Sequence, residues 1–153
     1  MNSEPALPDN VIAAPGHPGW YRWDVHPGDR FAGVVGPMIF RARGDGTVEV
    51  RMWPTTTMLN LGGSLHGGAA MTFIDMALFV GGRLGGMPRG QYVTLDCATH
   101  FVARTMAGAP LDAIVRIVGQ THGGMIFLSG HCEQDGRTTH SFTGTLKKIR
   151  ERV

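Results

Sequence analysis

One carboxylate stands out in a stretch of sequence that is otherwise almost entirely apolar. Residues 65–84 read LHGGAAMTFIDMALFVGGRL, and Asp75 is the only acidic residue among them. In a helix no Lys or Arg would lie three or four positions from Asp75, so a local ion pair is excluded. A buried carboxylate without a partner is costly, and perturbed carboxylates concentrate at functional sites. Asp75 is therefore a candidate catalytic group, although hydrogen bonds from distant groups would also stabilise it.

The same stretch begins with His66-Gly67-Gly68. The first N–H groups of a helix have no partner within the helix and carry partial positive charge. Glycines at this point let a ligand approach the backbone, so the Gly67 N–H is a candidate oxyanion donor. Tight helix packing explains the two glycines equally well. Asn60, seven residues before Gly67, carries an amide that can orient a carbonyl or a water, or can simply form a turn.

These residues need a helix to position them. Ser64 is a suitable N-terminal cap, and Gly81-Gly82 with Arg83 suits the C-terminal end. A segment that is apolar on nearly every face indicates a buried helix over residues 65–84. It is too short to cross a bilayer.

Strand-like runs surround this helix. Two of them, within Met38–Trp53, flank the turn 44–46, and four more follow the helix: Gln91–Ala103, Leu111–Gln120, Met125–Gln134 and Arg137–Ile149. Glycine pairs at 123–124 and Asp-Gly at 135–136 predict hairpin turns. This order predicts an α+β protein in which a curled antiparallel sheet wraps around one long central helix.

Alternation along the first of the four later strands divides its side chains between two faces. One face would carry Val93, Leu95, Cys97 and Phe101, and the other would carry Thr94, Asp96 and His100.

The N-terminal part of the chain differs in composition. Residues 1–19 are rich in Pro, Ala and Gly and predict a loose arm, whereas the aromatic residues within 20–35 predict a segment that packs on the body, with a short helical turn possible. We therefore divide the chain into an arm and packing segment, 1–34, and a main domain, 35–150.

Composition narrows the classes of function. Charged residues make up 17% of the 153 residues, which is low for a monomer and suggests surface hidden at subunit contacts. The net charge of +2 without a Lys/Arg run argues against nucleic acid. The start lacks an apolar signal segment, and Cys97 and Cys132 lack metal or disulfide spacing. We expect a cytoplasmic protein with buried reduced thiols, no membrane contact, no metal and no cofactor.

The stretch NLGGSLHGGAAMTFID, residues 60–75, resembles the PaaI-like hotdog thioesterases of the 4-hydroxybenzoyl-CoA thioesterase superfamily. Those proteins share an Asn in the loop, His-Gly-Gly at the helix start and an acid further along the helix. The resemblance covers about residues 35–150 and includes the order of the strands. It implies a hotdog fold and hydrolysis of an acyl-CoA to a free acid and CoA.

The resemblance also implies roles for single residues. Asp75 would act as general base or nucleophile, the Gly67 N–H would polarise the thioester carbonyl, and Asn60 would orient the carbonyl or water. Thr94 falls where relatives place a hydroxyl that steadies the attacking water. The residues assigned to substrate binding are His66, Gly68 and Arg104. We expect His66 to order the loop rather than act as a base, and Arg104 is the best cation for the CoA phosphates. Arg89, Lys147 and Lys148 are weaker candidates for the phosphates.

The spacing of two of these residues predicts an oligomer. Gly67 and Asp75 are eight residues apart, roughly 12 Å along a helix at 1.5 Å per residue. A donor and a base that act on one carbonyl must each lie within about 3 Å of it. Asn60 and Gly67 should therefore come from one protomer and Asp75 and Thr94 from another, across a two-fold interface. Dimers of this kind are typical of the family, and many pair into dimers of dimers.

Other functions remain possible from the sequence. A hotdog dehydratase or hydratase would pair a His with an acid, but His66 and Asp75 are nine residues apart and the dehydratase-type His-Phe-Pro signature is missing. A non-catalytic acyl-CoA-binding protein would keep the pocket without needing Asp75. If the 135–136 turn is a two-residue hairpin, His131 and His140 lie opposite each other; we favour a plain cross-strand pair over a zinc site, because no third ligand is evident.

Overall fold

The computed structural model describes residues 10–24 and 30–149. In these ranges the chain forms one α-helix and eight strands. The strands are Val11–Ala13 (β1), Tyr21–Trp23 (β2), Ile39–Ala42 (β3), Val48–Met52 (β4), Tyr92–Phe101 (β5), Leu111–Gln120 (β6), Met125–Gln134 (β7) and Arg137–Lys148 (β8). The helix α1 spans Gly67–Leu84, and short 3₁₀-helices span Phe31–Val35 and Thr56–Met58.

All eight strands belong to one antiparallel sheet in the order β1-β2-β3-β4-β6-β7-β8-β5. The chain leaves the sheet after β4, forms α1, and returns as β5 at the far edge. The α+β class and the strands predicted around the helix are confirmed. Strand β5 has a partner on one side only within the described residues, because β8 alone pairs with it.

Helix α1 packs on the inner face of the sheet and contacts β3 to β8. Its residues Phe73, Ile74, Ala77 and Leu78 are completely buried in the main core. The buried helix predicted from its composition is therefore confirmed for this side. The other side, which includes Met71 and Asp75, remains partly exposed in the single chain. No helix in the described ranges is long and apolar enough to span a membrane.

The helix is capped by a different residue from the one expected. The sequence predicted Ser64 as the cap, but α1 begins at Gly67 and His66 is its N-cap, with its Nδ1 accepting a hydrogen bond from the Gly68 N–H at 3.0 Å. The side chain of Ser64 instead contacts Asn60 in the preceding loop. A His ring nitrogen in its neutral form is an acceptor, as a cap requires. The His66 ring therefore caps the helix entry, and its role in substrate binding stays a prediction.

Strand β5 does not alternate as predicted. Its pairing with β8 shifts between Thr94 and Asp96, which marks a bulge at Leu95. A bulge adds one residue to one strand and reverses the alternation beyond it. Cys97 therefore packs against the helix-side core, on the same side of the sheet as Thr94. The assignment of these two residues to opposite faces was wrong.

The N-terminal segment is also more ordered than expected. Residues 1–9 and 25–29 lie outside the described residues, but Val11–Ala13 pairs with Tyr21–Trp23, and β2 pairs with β3. The loose arm predicted for 1–19 is therefore wrong at β1. Trp20 is buried, with the guanidinium groups of Arg41 and Arg51 4.4 and 4.7 Å from its ring centroid. The packing predicted for 20–35 is thus confirmed at Trp20, whereas Phe31 is 73% exposed in the single chain. The division at residue 34 stays a prediction.

The register of the last hairpin corrects one further expectation. Asp135 and Gly136 have positive φ angles of 52° and 75°, as the predicted two-residue turn requires. However, the pairing shifts between Cys132 and Glu133, so His131 lies opposite Ser141 and His140 lies opposite Cys132. The two histidines are thus not a cross-strand pair. Adjacent residues point to opposite faces of a sheet, so the shift separates the two rings.

Candidate active site

The centre of the candidate site is a hydrogen bond between α1 and β5. The Thr94 hydroxyl donates to Asp75 Oδ1 at 2.7 Å, and both side chains are half-buried. Among the described residues, no group donates to Asp75 Oδ2 and no cation forms an ion pair with the carboxylate. One oxygen is therefore held in place while the other is available to a water or a substrate. The structure brings together the acid and the hydroxyl that the sequence had placed nineteen residues apart.

An open groove of about 480 Å³ runs beside this carboxylate. Its remaining lining is largely apolar and comes from α1, β5 and the first 3₁₀-helix: Phe31, Ala32, Met71, Thr72, Met76 and Cys97. A carboxylate at the side of an apolar groove can act on a polar atom of a ligand whose apolar part fills the groove. Sequence reasoning missed Phe31, which lies outside the motif, and Cys97, which the bulge returns to this side.

The Cys97 thiol lies close enough to Asp75 to feel its charge. Burial raises the pKa of Cys97, the negative charges of Asp75 and Asp96 raise it further, and a contact with the Thr99 hydroxyl at 3.9 Å opposes them. A raised pKa keeps the sulfur in its protonated form, which is a poor nucleophile. Cys97 therefore contributes shape to the groove rather than reactivity.

At the N-terminus of α1, the Gly67 N–H makes no hydrogen bond within the described residues, whereas the Gly68 N–H donates to His66. The role of the Gly67 N–H as oxyanion donor stays a prediction. Gly67 lies beneath the edge of the Phe101 ring, which would be 3.4 Å from a Cβ at this position. A Cβ would thus be in ordinary contact with this ring, and the Gly68 N–H is already bonded to His66.

The loop before the helix is held by Asn60. Its Oδ1 accepts hydrogen bonds from the N–H groups of Gly62 at 2.9 Å and Ser64 at 3.3 Å, and its Nδ2 donates to the Ser64 hydroxyl at 3.1 Å. The Arg104 guanidinium donates to the Gly62 carbonyl and braces the same loop. Asn60 thus forms a turn, which was the alternative to its orienting role. Asn60, His66 and Arg104 share an open cleft of about 590 Å³.

One chain does not bring the two halves of the site together. Gly67 is the first residue of α1 and Asp75 lies eight residues later on the same uninterrupted helix, roughly 12 Å along its axis. Among the described residues, the Asn60 cleft and the Asp75 groove share no lining residue. The separation inferred from the spacing is thus present in the folded chain.

Comparison with solved structures identifies the architecture. The chain is similar to the E. coli PaaI protein from the phenylacetic acid degradation operon, with a TM-score of 0.67 and 23% identity over 78% of this chain and 83% of that one. It is similar to a variant of the phenylacetic acid degradation protein PaaI from Thermus thermophilus, with a TM-score of 0.65 and 24% identity over 78% and 98% of the two chains. A thioesterase from Haemophilus influenzae matches with a TM-score of 0.69 and 16% identity over 81% and 85%.

Searches with the sequence against protein-family models and against curated proteins found no match. The structural similarities are at low sequence identity, and they establish the fold. The chain has the hotdog fold, in which a curled antiparallel sheet surrounds a long central helix, and this confirms the fold predicted from residues 60–75 and the order of the strands.

Proposed function

We propose that this protein is an acyl-CoA thioesterase that hydrolyses a CoA thioester to the free acid and CoA. The observation that carries the proposal is the Asp75 carboxylate, held by Thr94 through one oxygen and open to an apolar groove through the other. Solved structures of the same fold include a named thioesterase, which supports this reaction class. A binding protein without catalysis would have no need for an acid placed in this way.

In the proposed reaction Asp75 activates the attack on the thioester carbonyl. Acting as a general base, its carboxylate removes a proton from water while the water oxygen bonds to the carbonyl carbon. Acting as a nucleophile, it bonds to that carbon itself and forms an anhydride that water then hydrolyses. In both routes the carbonyl oxygen becomes negative, and the C–S bond breaks to release the CoA thiolate. The Thr94 hydroxyl orients the carboxylate, and through it the attacking oxygen.

The negative carbonyl oxygen requires a donor, and the Gly67 N–H at the helix N-terminus suits it. Because Gly67 and Asp75 of one chain are too far apart, the donor would come from one protomer and the acid from its partner. Strand β5 supports such an assembly, because within the described part of the chain it is an edge strand, and its Val93 and Leu95 are 41% and 56% exposed. Unpaired edges with apolar side chains favour pairing with another chain. We propose a homodimer with two shared sites, which can pair further into a dimer of dimers.

The polar residues around the helix entry would serve binding. His66 caps the helix and so keeps the Gly67 N–H aimed outward, while Asn60 and Arg104 hold the loop that leads to it. In this arrangement Asn60 acts indirectly: it fixes the shape of the loop, and the loop in turn orients the thioester carbonyl. The groove beside Asp75 would accommodate the acyl group.

The test is release of free thiol from a panel of aliphatic and aromatic acyl-CoAs. We expect turnover with at least one of them, and we expect Asp75→Asn and Asp75→Ala to lower kcat by a factor of about 100 or more, because each removes the base. Circular dichroism should show the same fold for both variants.

Saturable binding of an acyl-CoA without thiol release would instead identify a binding protein. Unchanged turnover in Asp75→Asn would remove Asp75 from the mechanism. A mixture of inactive Asp75→Asn and inactive Gly67→Val chains tests the shared site, since a mixed dimer regains one complete site. A mixture that stays inactive although the two chains exchange would contradict the assignment of donor and acid to different protomers.

A further inference from the structure

One wall of the Asp75 groove comes from outside the helix and the sheet. Phe31 and Ala32, at the start of the 3₁₀-helix Phe31–Val35, are the only described lining residues that belong neither to α1 nor to β5. They precede residues 35–150, the part of the chain in which the sequence resembles the PaaI-like proteins. This wall is therefore a feature of the N-terminal segment, and the motif of residues 60–75 does not predict it.

The backbone of this 3₁₀-helix is fixed by the core and by its own hydrogen bonds. Val35 is buried in the main core, and the helix contacts α1. The Gly33 N–H donates to the Arg30 carbonyl at 2.9 Å, and the Gly36 N–H donates to the Gly33 carbonyl at 3.1 Å. Gly36 ends the helix with a φ of 71°, which residues with side chains rarely adopt. Phe31 is thus held beside the groove although its own side chain is exposed.

The apolar surface of the groove is largely open to water in the single chain. Phe31 is exposed for most of its surface, and Met71 across the groove is also exposed. A ligand that fills the groove would remove parts of both side chains from water. Burial of apolar surface is favourable roughly in proportion to the area that is buried. A wall whose backbone is already fixed also loses less conformational entropy when a ligand binds. The Phe31 ring is therefore available to stabilise an apolar ligand.

Away from Asp75, the groove offers few partners to a polar ligand. Asp75 is the one charged residue among the described lining residues, so no cation there could pair with an anionic group. The Thr72 hydroxyl already donates to the Gly68 carbonyl at 2.8 Å, and the Cys97 thiol is only a weak donor. A polar group that is buried without a partner is costly, and a carboxylate would also be repelled by Asp75. The lining therefore favours an uncharged, apolar group.

The groove is longer than the smallest acyl group needs. Its lining on α1 extends from Met71 to Met76, five residues or roughly 8 Å at 1.5 Å per residue. An acetyl group whose carbonyl lies beside Asp75 would fill only a small part of a volume of about 480 Å³. A longer apolar chain would fill more of the groove and meet the wall that Phe31 forms.

We propose that Phe31 is a specificity-determining residue of this protein. Its ring forms the apolar wall on which the distal part of an uncharged acyl group packs. The site therefore favours extended apolar acyl groups over acetyl and over acyl groups that end in a carboxylate. This inference rests on the proposed function, because it identifies the ligand of the groove as the acyl part of a CoA thioester. Phe31 does not touch the reacting atoms and acts through the fit of the acyl group.

The test is isothermal titration of CoA thioethers, which lack the carbonyl and cannot be hydrolysed, into the full chain. The original chain should bind octyl-CoA more tightly than ethyl-CoA, and more tightly than a thioether of equal length that ends in a carboxylate. Phe31→Ala should weaken binding of octyl-CoA about tenfold, the lower end of the range of about 10- to 200-fold for a lost apolar contact in a specificity pocket, and leave ethyl-CoA unchanged. Phe31→Leu keeps an apolar side chain and should retain most of the preference.

Val34→Ala is the matched control. Val34 belongs to the same 3₁₀-helix and is also exposed, but it is not among the described residues that line the groove. This variant should bind both thioethers like the original chain. Because Phe31 and Val34 are both exposed, neither substitution should change the fold, and circular dichroism checks this.

Kinetics separate this inference from the proposed function. In a thioesterase, Phe31→Ala should raise KM for octanoyl-CoA and leave KM for acetyl-CoA unchanged. Hydrolysis with the same chain-length preference in Phe31→Ala would overturn the role of Phe31 and keep the thioesterase. Phe31-dependent binding of octyl-CoA in a protein that hydrolyses no thioester would remove the proposed function and keep the wall. The inference is also overturned if the original chain binds ethyl-CoA and octyl-CoA equally, or if Val34→Ala weakens octyl-CoA as much as Phe31→Ala does.

Discussion

The close contact between α1 and β6 at Gly81 provides a sharp test of how the fold positions the site. A Cβ at Gly81 would lie 2.5 Å from Cγ1 and 2.7 Å from Cβ of Val115. Non-bonded carbons normally lie about 3.5–4.0 Å apart, so Gly81→Ala needs about 1 Å of additional separation. Val115 is β-branched and lies in β6 between β4 and β7, so it has few ways to move. The helix must therefore shift.

The neighbouring glycine is a matched control. A Cβ at Gly82 would meet Sδ and Cε of Met87 at 3.1 and 3.3 Å, at the end of a flexible side chain that can adjust. In a helix interior Ala is favoured over Gly by about 1 kcal/mol, and this gain applies to both variants. Overpacking costs about 1–3 kcal/mol and applies to Gly81→Ala alone. We expect Gly82→Ala to be neutral or stabilising and Gly81→Ala to be destabilising, with a gap of about 2 kcal/mol.

Thermal unfolding at one protein concentration measures this difference in stability between the two variants. At about 2–4 °C per kcal/mol for a chain of this size, the two Tm values should differ by about 4–8 °C. Turnover reports the displacement of helix α1, because Asp75 lies on the same helix as Gly81. A shift of about 1 Å at a reacting group can lower the rate about 100-fold, so Gly81→Ala should also lose kcat while Gly82→Ala keeps it. Equal Tm and equal kcat in the two variants would refute the claim that Gly81 sets the spacing between helix and sheet.

Three further outcomes are expected. Thr94→Val should lower kcat about tenfold or more, because a hydrogen bond to a charged group contributes about 1.5–3 kcal/mol. Thr94→Ser keeps the hydroxyl and should retain activity. Equal effects of the two substitutions would refute the role of the hydroxyl. Asp75→Asn should speed alkylation of Cys97 by iodoacetamide, because it removes a negative charge that helps to raise the pKa of this thiol, and an unchanged rate would contradict that coupling. Burial lowers the pKa of His140 in the folded chain, so as the pH falls the unfolded chain takes up a proton before the folded chain does. The urea midpoint of unfolding should therefore be constant above a pH of about 6.5 and fall below it. His140→Gln should flatten this profile, and an unchanged profile would show that another group causes it.

Much of the fold was predictable because the local signals agreed with the tertiary structure. Three of the four strands after the helix begin at the predicted residue, and two of them, β6 and β7, also end there. Turns at Asp135-Gly136 and Gly123-Gly124 mark their boundaries, since glycine supplies the positive φ that the turns need. The helix was evident from its apolar length, and the shared core of α1 and the sheet follows from the need to bury it.

Other features depended on contacts between distant segments. Strands β1 and β2 have three residues each, too few for a clear alternation, and they form because β3 offers an edge and Arg41 and Arg51 enclose Trp20. The bulge in β5 and the shift beyond Cys132 have no local signature, because each is a property of two paired strands. They decide which face Cys97 occupies and which residue opposes His140.

For the candidate site, the sequence by itself determined the residue types and their spacing: a lone acid in an apolar helix, a helix entry with glycines, and a separation that keeps the two apart. These follow from residue types and helix geometry, which are local. Only the tertiary structure decided that the Thr94 hydroxyl reaches Asp75, that His66 rather than Ser64 caps the helix, and that Arg89 shares one cleft with Lys147 and Lys148 at the end of β8. Each of these depends on how strands pair across the sheet, and pairing is an interaction between residues far apart in the chain.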